Sequence, residues 1–528
     1  MKKRIIALSF ALFSFGVMNY FYGQEDAEIV NWYNGKAPGM NTEKAYSALK
    51  KKTSTTVIVA VIDSGIDIEH KDLQGKIWVN EDEIPNNGID DDNNGYIDDI
   101  HGWNFLGSAT GENQKYARLE KTRLLAQLET RFKGKETSQI SAADRADFDL
   151  YKKLNKEINA ERKNDLQTLD QYQQLLMVFP AMKAELNKLL GENFTLETLE
   201  KWNATTPEEK QLKEIGRYMA MGQISEEAIK EGIDHFEASA NYHLNTAFDD
   251  RMYIGDNPND FNDVHYGNND VEGPDALHGT HVGGIIGAVR GNELGGDGVA
   301  ENVKLMSLRA VPDGDEQDKD VALAIRYAVD NGAMVINMSF GKSYSNHQQE
   351  VFDALAYADS KGVLFIHAAG NDNENVDESD NYPTSNYSFQ KAKLGLYLTI
   401  GASTRVAKEY LAADFSNYGQ TQVDVFAPGY EIYSTVPQSD YKKLQGTSMA
   451  APMVAGVAAL LKSYFPTLSM LEIKDIILSS AKSYKGTMQR LPGSEQLVDF
   501  ATLSVTGGVV DISAAIKACA KLEAKKKG

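Results

Sequence analysis

The sequence is short of cysteine, of positive charge and of long apolar runs, and each shortage removes a class of protein. Cys519 is the single cysteine in 528 residues, so no internal disulfide can staple the chain. Near the C-terminus it reads as a small packed residue on a helix instead of a reactive thiol. Lysine and arginine together number 54 against 75 aspartates and glutamates, a formal net charge of -21. That balance argues against nucleic acid or an anionic membrane as partner. After the N-terminal segment no stretch is long and apolar enough to anchor the chain in a bilayer. A helical His-Glu-x-x-His pattern is missing as well, which disfavours a zinc peptidase. What remains, 42% hydrophobic and 24% charged residues, is a globular composition long enough for more than one domain.

The N-terminus carries an export signal. Lys2-Lys3-Arg4 precedes an apolar stretch from Ile5 to Met18, the pattern of a signal peptide over residues 1–23 with cleavage near Gly23-Gln24. Phe21 departs from the small-residue rule for such a site. With no cysteine nearby there is no lipid attachment point, so the expected destination is the periplasm or the exterior, with no membrane anchor after signal removal.

Three further stretches bring together the parts of a nucleophilic site. A serine hydroxyl is a poor nucleophile at neutral pH; it needs a neutral imidazole to take its proton and an acceptor to hold that imidazole in one tautomer. Asp63 follows the apolar run Val57 to Ile62, which places a carboxylate at a strand's carboxyl end, where open α/β sheets hold their sites. His278 opens His278-Gly-Thr-His281-Val-Gly-Gly, whose small residues suit a helix packed closely on a sheet. The helix N-terminus disfavours a charged imidazole at rest, and Asp63 favours it once a proton arrives. Ser448 stands between Gly446-Thr447 and an apolar helical stretch, Met449 to Tyr464, so its own N–H is a free donor facing incoming negative charge. His281 reads as a structural histidine.

In the order Asp, His, Ser these stretches resemble the motifs of the subtilisin-like serine peptidases. Val363-Leu-Phe-Ile-His-Ala-Ala-Gly370-Asn371 resembles the strand that ends in that family's oxyanion asparagine. The resemblance implies a catalytic triad of Asp63, His278 and Ser448, with Asn371 and the Ser448 amide as oxyanion donors, in an exported serine endopeptidase acting through an acyl-enzyme. It also implies that Asn337-Met-Ser339-Phe340-Gly341 is an edge strand to which a protein or peptide substrate adds in extended form. Ser339, Phe340 and Gly341 then bind substrate, and Ala368, Ala369 and Gly370 leave room for a side chain. Asn381, before Tyr382-Pro383, reads either as the floor of that pocket or as a turn residue. The competing functional reading is a catalytically silent exported scaffold.

The remaining pattern is that of an α/β protein. Val303 to Val311, Ala333 to Phe340, Val363 to Ala369 and Leu396 to Ser403 are strand-length apolar runs, and Asp320 to Asn331 and Gln348 to Lys361 carry helical spacing. The alternation predicts a doubly wound, mostly parallel sheet with helices on both faces. The peptidase domain is expected over 24–110 and 249–520. Gly507 to Asp511 with Ile512 to Cys519 resembles the family's closing turn and helix, before a charged tail at 521–528.

An acidic loop suggests calcium, and no organic cofactor is expected. Asn87 to Asp99 places oxygens at alternate positions with Gly95 after the third, in the manner of an EF-hand loop. Asp90, Asp92, Asn94, Tyr96 and Asp98 are the expected ligands. His101 stands at position twelve counted from Asp90, so Asp98 or Asp99 must substitute for the usual glutamate. Asp256-Asn-Pro-Asn-Asp260-Phe-Asn-Asp263 reads as a polar turn, with a second ion site as the competing reading.

Asp63 and His278 stand 215 residues apart, far more than a compact subtilisin pattern needs. The excess, 111–248, is rich in Leu, Lys, Glu, Gln and Ala. Helical spacing appears at Leu150, Leu154 and Ile158, then at Leu166, Leu169 and Leu176. Thr206-Pro207-Glu208-Glu209 is a helix start with cap, first-turn proline and closing glutamate. This is an inserted helical subdomain, read either as a bundle packed on the core or as a lid, folding aid or docking surface. About thirty residues between the signal and Val57 leave little room for the inhibitory prodomain of compact relatives. Heptads are too short to claim a coiled coil, and the oligomeric state is open.

Overall fold

Alternate residues of the apolar strands face opposite sides of one sheet, and both sides are buried. In the computed structural model, which describes residues 30–527, β1 (Val57–Asp63) sends Val57, Val59 and Val61 into one core and Ala60 and Ile62 into another. β3 (Val303–Arg309) divides Val303 and Leu305 from Met306 and Leu308 in the same way. Double burial is why these strands read as unbroken apolar runs. The expected signal segment lies outside the described residues.

Among the described residues the main sheet has nine strands. From one edge the order is Lys482–Ser483, Gly508–Val509, β7 (Val425–Pro428), β6 (Tyr397–Ser403), β5 (Leu364–Ala368), β4 (Val335–Met338), β1, β3 and β2 (Gly102–Asn104). Every pairing is parallel except that of the outermost Lys482–Ser483. Helices α1 (Leu277–Gly287) and α4 (Thr447–Tyr464) pack into the first core, and α2 (Asp318–Asp330) and α3 (Gln348–Ser360) into the second. The sheet is doubly wound, as the alternation predicts. α4 is apolar on all sides because it is buried on all sides, each Leu or Val contributing about 1.5–3 kcal/mol. β1 sits between β3 and β4, so the chain turns outward in opposite directions from its carboxyl end. That crevice is where such sheets hold ligands.

Several expectations need correcting. The run Ala333 to Phe340 forms a strand only over Val335–Met338, and it lies inside the sheet between β1 and β5 instead of at an edge. Its four residues are buried on both faces, which only an interior strand allows. Ser339–Gly341 continue past the strand end and belong to no ladder. The C-terminal helix runs through Ile512–Lys527, so the charged tail is helical as far as Lys527. Cys519 is buried on it, and burial pushes its thiol pKa up to about 12.

A second compact unit takes in residues 121–248. Its long helix, Arg145–Leu190, is followed by Leu196–Lys201, Pro207–Ala220 and Glu226–Ala238. Leu154, Ile158, Leu169 and Leu175 are buried while Leu166 is exposed, so the buried stripe runs one residue ahead of Leu176. The Thr206 hydroxyl accepts the Glu209 amide and the Glu209 carboxylate accepts the Thr206 amide, closing the box. Gly111–Glu120 group with the sheet, because Asn113 and Tyr116 bridge to Gly107 and Asp313.

Candidate active site

Asp63 ends β1 at the crevice, and His278 is the second residue of α1. His278 Nδ1 lies 2.6 Å from Asp63 Oδ1, which also accepts the Ser64 amide at 2.8 Å. Arg309, buried at the end of β3, donates from Nε to the Ser64 carbonyl at 3.1 Å and steadies this turn. With Nδ1–H given to Asp63, Nε2 is the basic nitrogen. Desolvation pulls the His278 pKa down, but the Asp63 charge and hydrogen bond, helped by Asp275, outweigh it and hold the pKa above 6.5. Asp63 therefore wins over the cost of burial.

Ser448 occupies the first turn of α4. Its hydroxyl donates to the Ser339 carbonyl at 3.0 Å, and the Ser339 hydroxyl donates back to the Ser448 carbonyl at 2.9 Å. Asn337 Nδ2 supports Ser339 Oγ at 2.9 Å. The hydroxyl thus rests on Ser339 and not on His278, a looseness common before substrate binds.

Asn371 follows β5 by three residues. Its Oδ1 accepts both the Thr447 amide, at 2.8 Å, and the Thr447 hydroxyl, at 3.0 Å. That fixes the amide's direction and turns Nδ2 the other way. A Cβ built on Gly446 would lie 3.4 Å from Asn371 Nδ2 and 3.5 Å from Ser448 N. The same Cβ would lie 3.6 Å from Asn371 Oδ1, so the Asn371 side chain and the Ser448 amide both border the space at this glycine.

Asn381 joins the neighbouring walls. Its Nδ2 donates to the carbonyls of Ala368 and Ala369 at 3.1 and 3.0 Å, and a Cβ on Gly341 would collide with its Oδ1. Ser339, Phe340, Gly341, Ala368, Ala369, Gly370 and Asn381 are gathered at the same end of the sheet.

Residues 54–174 and 182–499 match the model of the subtilase family, Peptidase S8. The chain belongs to the subtilase family. Over 211 residues it is 39% identical to the thermophilic serine proteinase of Bacillus sp. (strain AK1), covering 40% of this chain and 48% of that one. Subtilisin DY of Bacillus licheniformis is 37% identical over 207 residues, 39% of this chain and 70% of the relative. Thermitase of Thermoactinomyces vulgaris is 37% identical over 211 residues, 40% of this chain and 69% of the relative. The chain thus spans about half the length of the first of these. A solved structure titled as proteases from Pseudoalteromonas arctica PAMC 21717 matches at 33% identity with a TM-score of 0.37, over 46% of this chain and 70% of that one.

In this subtilase the acidic loop brings two of the expected ligands, Asp90 and Asp92, together with Glu83, which was not among them. Carboxylate oxygens of Glu83, Asp90 and Asp92 lie within 4.8 Å of one another. Glu83 is only 5% exposed; its Oε1 accepts the amides of Asp91 and Asp92 at 2.7 and 3.1 Å, while Oε2 is buried without a hydrogen-bond partner. An orphaned carboxylate oxygen beside two more carboxylates fits a hard cation. Asp98 stands outside this carboxylate group. The Asn94 amide donates to Asp92 and Asp99, the Tyr96 ring packs on Trp103 and Tyr327, and Asp98 accepts the amides of Asn87 and Gly88. They shape the loop.

The loop at Asp256 is filled by the protein's own cations. Lys319 Nζ, fully buried, lies 2.8 Å from Asp256 Oδ2, 2.9 Å from the Asn257 carbonyl and 3.5 Å from Asp263. Arg251 bridges Asp256 and Asp320 at 2.6 and 2.7 Å.

Three residues escaped the sequence reading: Glu83, Thr447 and His367. Glu83 precedes the counted loop, although Glu81-Asp82-Glu83 signals excess acid before it. Thr447 adjoins Ser448, and His367 is a polar residue inside an apolar strand.

Proposed function

We propose that this chain is an exported serine endopeptidase that cuts protein or peptide substrates through an acyl-enzyme. Ser448 Oγ leaves the Ser339 carbonyl, gives its proton to His278 Nε2 and bonds to the substrate's carbonyl carbon. Asp63 holds the imidazole and balances the imidazolium. The oxyanion is taken by Asn371 Nδ2 and the Ser448 amide. His278 then returns the proton to the departing amine as the C–N bond breaks, and water repeats the cycle to release the acyl group. The substrate lies extended along Ser339–Gly341, with a side chain beside Ala368–Gly370 above Asn381, whose hydrogen bonds to Ala368 and Ala369 close the pocket floor. Calcium, held by Glu83, Asp90 and Asp92, supplies a structural staple to a chain without disulfides and takes no part in the chemistry.

The observation that carries this reading is the 2.6 Å contact of His278 with Asp63. It commits Nδ1 and leaves Nε2 basic. The silent-scaffold reading has one observation in its favour, the Ser448 hydrogen bond to Ser339. A fluorophosphonate probe separates the two: the peptidase is labelled at Ser448 and Ser448→Ala is not, whereas an unlabelled native chain that also cleaves no peptide rejects the assignment. Since His278 must be neutral to act as base, its raised pKa puts the acid limb of the rate profile above pH 6.5.

A further inference from the structure

The strand that leads to Asn371 carries a buried imidazole that the chemistry above leaves unused. His367 lies on β5, in register with Met338 of β4 and Thr399 of β6, and is 1% exposed. Its Nε2 is 2.8 Å from the Phe340 carbonyl. A carbonyl only accepts, so Nε2 carries the proton and the ring is the neutral Nε2–H tautomer. Burial pushes its pKa down to about 4, which keeps it neutral across the ordinary working range. The ring also packs edge-on against Tyr397, whose hydroxyl donates to the Pro383 carbonyl at 2.8 Å.

Phe340 has left the sheet, and nothing in a ladder holds its carbonyl in place. His367 provides that hold from the neighbouring strand. Together with the bonds from Asn381 to Ala368 and Ala369, it stitches 339–341, 368–371 and 381–383 into one support. We propose that His367 is a positioning residue that fixes Ser339–Gly341 for pairing with the substrate backbone, acting through its hydrogen bond to the Phe340 carbonyl. A leucine would fill much of the same space and leave that buried carbonyl unpaired, which is the costly case.

This rests on the reading of Ser448 as nucleophile and of Ser339–Gly341 as the substrate-binding segment. The full chain is assayed with an extended peptide p-nitroanilide and, separately, with a fluorophosphonate, which reaches Ser448 without pairing along the segment. His367→Leu is expected to raise KM for the peptide by about tenfold with a far smaller change in kcat and in labelling rate. His367→Gln, whose side-chain amide can donate to Phe340, should recover most of the loss. His367→Met serves the same comparison if leucine does not fold. Unchanged KM in the leucine or methionine variant overturns the proposal, as does a glutamine variant no better than leucine or an equal loss in labelling. A native chain that neither labels nor cleaves peptide overturns the functional reading instead.

Discussion

Two loops of the sheet unit, both rich in Asp and Asn, have opposite fates. Around Glu83, Asp90 and Asp92 the carboxylates face one another and one buried oxygen has no partner. Around Asp256 and Asp263 the space is taken by Lys319 and Arg251, with the Tyr266 ring 4.4 Å from the Lys319 ammonium. Excess acid in a loop therefore says that a cation is wanted and not where it comes from. One loop could hold a metal ion; the other carries its own cations.

The contrast is most exposed at Lys319. Replacing Lys319 by Met strands buried Asp256 with a single cation, and the expected loss is about 3 kcal/mol or more in urea unfolding. A loss under about 1 kcal/mol would mean that the ammonium is not what satisfies this loop. Next in size is chelation. Removing calcium held at about 100 times its Kd should cost about 2.7 kcal/mol, read as a lower Tm. Glu83→Gln should weaken that dependence while Asp256→Asn leaves it intact. Equal effects from both would erase the distinction between the loops.

The smallest effect is in acid. Burial pushes the Asp256 pKa up, but the hydrogen bonds and charges of Arg251 and Lys319 outweigh it and leave the pKa below 3.8. A carboxylate lowered on folding stabilises above its unfolded pKa and loses that contribution as pH falls through the folded one. The Asp256 network should hold at pH 4.5 and fail only below 3.8. An NMR titration of the Asp256 carboxyl carbon checks this, and a midpoint above 3.8 contradicts it.

Much of this was legible in the chain. β1, β3, β5 and β6 appear as apolar runs because both faces of an interior parallel strand are buried, and period alone does not hide them. Asp63, His278, Asn371 and Ser448 stand in short motifs at strand ends and helix starts, so each could be placed from its neighbours. Less legible were side chains whose partners arrive from afar. Glu83 earns its place only once Asp90 and Asp92 fold back on it, and His367 only once Phe340 leaves the sheet beside it. Asn337-Met338 misled for the opposite reason: what looked like an edge is central, because β1 lies on its other side.

Local order along the chain settles which residues form strands, which begin helices, in what sequence Asp63, His278 and Ser448 occur, and where acid accumulates. Those depend on neighbours a few positions away. Folding alone decides that Ser448 rests on Ser339, that Asn371 is turned by Thr447, and that Lys319, 63 residues after Asp256, occupies the space a metal could have held. A charge's sign is written in the sequence, but its compensation depends on distances of a few ångströms, and only the packed structure sets those.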